Sequence, residues 1–214
     1  MGRERQDFFR ESNTTEKEKI FILAFEGNVT EATYFKDFKN TVRFKDDLIY
    51  LHFLTRSKND TNSAPNHVLK KLKTEAKDEF NFSKKDELWM IIDTDNWDIA
   101  KVALKCKQEN IFLAVSNPCF EFWLLLHIKD SNEYSLEEQQ LILENKKVKP
   151  GKKNYIEHKL IDILGTYNKS RLKSEHFLPY INDAISRAKE LDNPVEDFPN
   201  SLGSHIYKLM EKLL

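Results

Sequence analysis

The sequence predicts an α/β fold: a mostly parallel four-stranded sheet flanked by helices, with a helical extension at its C-terminal end. Three observations carry this. Between residues 19 and 130, apolar runs of strand length alternate with stretches of helical spacing. The apolar runs are continuous rather than alternating, as in parallel strands covered on both faces. Beyond residue 130 only helical patterns occur.

The first strand is KIFILAF at 19–25, stopped by the turn cluster Glu26-Gly27-Asn28. Thr30 is a good cap for the helix that follows, whose Tyr34, Phe35 and Phe38 share a face. LIYLHFL at 48–54 is the second strand. A polar loop covers 55–66, and Pro65 opens a helix through HVLKKLKTEAKDEF. ELWMIID at 87–93 is the third strand and ends in an acid, after which Asp95-Asn96 lead into the helix WDIAKVALKCKQEN. IFLAVS at 111–116 is the fourth strand. Asn117-Pro118 then starts an aromatic helix, CFEFWLLLHI, abruptly. Four further helical patterns, at 134–146, 155–168, 177–191 and 203–213, pack on a face or edge of the sheet, and no strand is expected among them. The chain divides into a polar arm (1–18), an α/β core (19–130) and a helical extension packed on it (131–214).

The 214 residues are 40% hydrophobic and 12% aromatic, enough to bury a core without staples and unlike a disordered chain. No apolar run approaches the ~20 residues a membrane helix needs. The two cysteines, Cys106 and Cys119, form neither a disulfide framework nor a CxxC zinc pair. The expectation is a reduced, cytoplasmic protein without membrane association. A net charge of −1 argues against uniform binding to polyanions. The segment 146–173 differs, with nine Lys and Arg against two acids. Within it Lys152, Lys153, Lys159 and Arg171 are the candidate contacts to nucleic-acid phosphates, and a solvated loop is the equal alternative. Only 5 glycines occur, and neither GxGxxG nor GxxxxGK[ST] is present, which excludes a glycine-rich nucleotide cradle.

The candidate chemistry lies in the acids. Ligands bind an open parallel sheet outside the carboxyl ends of its strands. Glu26 follows the first strand, Asp93 ends the third, and Asp95 lies two residues on, where an extended backbone points both Asp side chains the same way. Three carboxylates around one cleft repel each other unless a hard cation neutralises them, and Mg²⁺ or Mn²⁺ suits oxygen ligands of this kind. The plainer account makes Glu26-Gly27 turn chemistry and Asp95 or Asn96 a helix cap. Glu121 and His127 sit in a helix that is apolar almost all round, so each requires a partner there. Glu121, near the strand ends, is a further candidate catalytic residue. Cys119 reads as a packed small residue.

FEGNVTEATYF (25–35), IIDTDNWD (91–98) and SNPCFEFWLLLH (116–127), in that order, resemble the RloB family, which includes AbiLii-type abortive-infection proteins. GKKNY (151–155), AISRAKEL (184–191) and NSLGSHIYKLMEKLL (200–214) extend the likeness, so it covers residues 19–214. In that family an Asn-Pro-Ser-Thr-like stretch leads into the last helix, and here it reads Phe198-Pro199-Asn200-Ser201. The resemblance implies a Toprim-like, Rossmann-like domain in which Glu26, Asp93 and Asp95 hold Mg²⁺ for phosphodiester chemistry. Glu26 is left as either a metal ligand or a general base. It further implies a nuclease acting on RNA or DNA in prokaryotic antiviral defence, beside a partner ATPase. A homo-oligomer stays open. The alternatives are a non-cleaving nucleic-acid-binding or sensor module and, less favoured, a primase-like nucleotidyl transferase.

Overall fold

The computed structural model describes residues 18–27, 29–54, 65–79, 83–94, 98–148 and 153–214. The expected polar arm lies outside them apart from Glu18, as does most of the loop after the second strand. Four of the sheet's strands are the apolar runs read from the sequence: β1 (Lys19–Phe25), β2 (Ile49–Leu54), β3 (Glu87–Asp93) and β4 (Phe112–Asn117). They alternate with α1 (Thr30–Lys39), α2 (Pro65–Glu79), α3 (Ile99–Gln108) and α4 (Phe120–Ile128). Four more helices follow, α5 (Leu136–Glu144), α6 (Tyr155–Leu164), α7 (Ile181–Leu191) and α8 (Ile206–Leu213).

The sheet has five strands, not four. The added strand, β5 (Gly203–Ser204), runs antiparallel to the end of β4 and pairs Ser204 with Ser116 and Gly203 with Asn117. The strand order is β2-β1-β3-β4-β5, and the first four are mutually parallel. The sheet is therefore mixed, and the expectation of no strand beyond residue 130 is corrected. A glycine and a serine have no strand propensity. Their pairing is held by α8, which follows them and packs against β4, by α7, which precedes them and packs against β5 itself, and by the His205 N–H, which donates to the Val115 carbonyl at 2.8 Å.

Continuous apolar strands bury both faces. Phe21, Leu23, Phe25, Trp89, Ile91 and Ala114 point into a cluster roofed by α1, α4, α6, α7 and α8. Ile22, Ala24, Met90, Ile92 and Val115, one residue out of phase, point into a second cluster under α2 and α3. Thr30 does not cap α1 as expected. Val29 holds that position, and the Thr30 hydroxyl donates instead to the carbonyl of Lys169, 3.2 Å away. The order of the strands makes β1 and β3 neighbours although the chain visits β2 between them. The connections therefore leave in opposite directions there and open a crevice at the carboxyl ends of β1 and β3.

Candidate functional site

That crevice receives the first two predicted acids. Glu26 continues β1 by donating its N–H to the Ile91 carbonyl at 2.9 Å, and its Oε2 accepts the Asp93 N–H at 3.0 Å. The end of one strand thus holds the carboxylate of the other, and Glu26 is only 8% exposed. Asp93 is half-buried beside it. Asp95 and Lys152 lie outside the described residues.

Glu121 arrives from a third direction. Cys119 and Phe120 begin α4 directly after β4, so Glu121 falls in the first helical turn at the rim of the sheet, where the helix dipole favours an acid. It is 3% exposed and accepts the Tyr167 hydroxyl on Oε1 at 3.2 Å. The Lys169 ammonium meets the same Oε1 at 3.2 Å. Burial alone would lower the Lys169 pKa, but the opposing pull of Glu121 leaves it raised, so this side chain is a fixed cation. Burial pushes the Cys119 thiol well above its ordinary range, with Glu121 and Asp93 adding to the effect, and this fits a packed residue and not a nucleophile.

A fourth acid joins them. Glu31 lies in the first turn of α1, is 7% exposed, and accepts the Gly27 N–H on Oε1 at 3.1 Å. Its carboxylate covers Gly27 so closely that a Cβ there would collide with it, which explains the glycine directly after Glu26. Burial raises the Glu31 carboxyl to about 7, and the neighbouring charges of Glu121 and Glu26 add to this against its backbone hydrogen bonds. Glu31 was not among the candidates read from the sequence. No sequence signal marks it, since an acid in the first turn of a helix is commonplace.

The remaining candidates separate from this group. Lys153 donates to the Tyr167 carbonyl at 2.8 Å, which steadies the segment carrying Tyr167 and Lys169. Lys159 pairs with Glu138 at 2.8 Å and lies over the rings of Tyr134 and Tyr155, tying α6 to α5. Arg171 is exposed, two residues beyond Lys169. His127 is buried in the core. Its Nδ1 bonds the Trp123 carbonyl at 2.9 Å, and its Nε2 meets the Tyr34 hydroxyl at 2.9 Å.

Carboxylate oxygens are the donors a hard divalent ion takes. Mg²⁺ is typically held by one or two of them, with water and substrate phosphate completing the shell. The donor chemistry of Glu26 and Asp93 fits that pattern. Among the described residues no three His, Cys, Asp or Glu side chains close into a metal-binding group, so a larger protein ligand set would have to draw on Asp95. Among those residues, too, no helix is long and apolar enough to cross a membrane. Compared with known proteins, residues 21–213 match the family model described as RloB-like protein. No curated protein and no solved structure matches the chain.

Proposed function

The chain belongs to the RloB-like protein family, and from that premise we propose that it is a Toprim-like, divalent-metal-dependent nuclease cutting RNA or DNA. The observation that carries the reading is the meeting of Glu26 and Asp93 in the crevice between β1 and β3, joined by a direct hydrogen bond. In this reading Glu26 and Asp93, with Asp95, hold Mg²⁺ or Mn²⁺, which would polarise the scissile phosphate and stabilise the leaving oxygen.

The protein's own groups divide the other tasks. The bond from the Asp93 N–H to Oε2 fixes the Glu26 carboxylate against the strand end that carries Asp93. Glu31, whose carboxyl burial raises to about 7, would take the proton of an attacking water. Lys169 balances the buried charge of Glu121. The exposed Arg171 and Lys173 beside that lysine offer phosphate contacts along the rim. Action in antiviral defence with a partner ATPase is the biological setting that the family resemblance favours.

The test incubates purified protein with labelled RNA and DNA and Mg²⁺ or Mn²⁺, beside Asp93→Ala, with and without the candidate partner ATPase. Cleavage by the wild type that EDTA and the substitution both abolish, in a variant that still melts cooperatively, is the expected result. The second reading, a binding or sensor module, is favoured by the exposed basic residues Arg171 and Lys173 on the segment beside the crevice. Salt-sensitive binding without cleavage in every arm would select it.

A further inference from the structure

The segment 167–169 is held against the crevice at several points. The Thr30 hydroxyl donates to the Lys169 carbonyl, so the segment is tied to α1, the helix that carries Glu31. The Asn168 side chain caps the turn that follows by accepting the Ser170 N–H at 2.9 Å. Lys153 holds the Tyr167 carbonyl at 2.8 Å from the other side. This scaffold delivers one ammonium to one buried carboxylate, Glu121, while the Lys169 side chain remains 42% exposed. A long, flexible lysine is normally left in solvent. Holding its backbone this firmly makes sense where the position of the charge matters.

Resting on the metal-centre reading, we propose that the Lys169 ammonium fills the place beside Glu121 that a second divalent cation would take, so the site admits one ion per chain. Glu121 and Glu31 are buried carboxylates close enough to repel each other. Without a cation between them and solvent, that charge must be met by a proton or a metal. Lys169 meets it from within the chain. Its exposed flank then presents a fixed positive charge to the oxygens of any phosphate bound at the crevice.

The experiment counts Mn²⁺ bound at pH 8 by calorimetry and by the loss of the free-ion paramagnetic signal. Wild type and Lys169→Arg are expected to bind one ion per chain. Lys169→Met is expected to bind two, and the double variant Lys169→Met with Glu121→Gln to return to one. The double variant lacks both partners of the ion pair and tests whether the extra ion needs Glu121, while Lys169→Gln, read in the same way, stands in should Lys169→Met fail to fold. One ion in wild type and still one in folded Lys169→Met would overturn this proposal and leave the metal centre intact. Two ions in wild type would overturn it as well, whatever the variants do. No ion in wild type would sink the metal centre itself, and the role of Lys169 with it.

Discussion

Burial lifts the Glu31 carboxyl to about 7, whereas an unfolded chain ionises the same group near the ordinary value of 4.5. Between those values the folded protein holds a proton that the unfolded chain has lost. Stability from this group is therefore complete below the lower value and falls as pH rises through the window, by about 1.4 kcal/mol per unit at most. Glu31→Gln keeps an oxygen for the Gly27 N–H and never ionises. It should match the wild type in thermal melting at pH 4.5 and melt clearly higher at pH 8, while losing metal-dependent cleavage. A melting difference that stays constant across that range would mean that Glu31 ionises freely in the folded protein. Neither Glu31 nor Lys169 could be singled out from sequence. Each lies among similar residues, Glu31 in a polar helical turn and Lys169 as one of nine basic residues in the segment 146–173. What distinguishes them is a contact to a residue far away or to a backbone that has turned back.

At the scale of elements, α4 shows how a helix without a polar face is kept in register. Its residues from Phe120 to His127 are all buried, so hydrophobicity alone does not choose its rotation. The polar bonds do. Since His127 Nδ1 must donate to the Trp123 carbonyl, Nε2 is the acceptor and the Tyr34 hydroxyl of α1 is the donor. Burial lowers the His127 pKa to about 3, which keeps the ring neutral and this arrangement intact near pH 7. Tyr34→Phe preserves shape but leaves a buried nitrogen without its donor. It should cost about 1–3 kcal/mol in denaturant unfolding at pH 7. A loss within error of zero would show that α4 is oriented by packing alone. The elements that were legible share one property: an apolar run closed by an acid or a turn residue, as at Phe25-Glu26 and Ile92-Asp93. The ends of β1, β2 and β3 were read to the residue and that of β4 one residue short, and the crevice acids lie where β1 and β3 stop. β5 was not legible because its two residues become a strand only through the partner they meet.

For the whole molecule, the C-terminal residues complete the core that the first strands begin. Ile206, Leu209, Met210 and Leu213 of α8 are fully buried in the same cluster as Phe21, Leu23 and Trp89. Lys212 reaches back over the Trp89 and Phe112 rings to Glu87, and the Lys45 N–H donates to the Leu213 carbonyl at 3.2 Å. Asp192, Tyr207 and the buried His205 close a further node, with the Tyr207 hydroxyl donating to Asp192 at 2.7 Å, which locks the end of α7 to the start of α8. Each large apolar side chain contributes roughly 1.5–3 kcal/mol on burial, so the four in α8 contribute on the order of 6–12 kcal/mol as an upper estimate. That is comparable with the whole folding free energy of an ordinary domain, about 5–15 kcal/mol. A chain ending at residue 198 should therefore lose near-ultraviolet circular dichroism and cooperative melting, although it retains every acid of the crevice. If it melted cooperatively within a few degrees of the full chain, the site would rest on the first four strands alone, and the last helix would be an ornament on a core already stable without it.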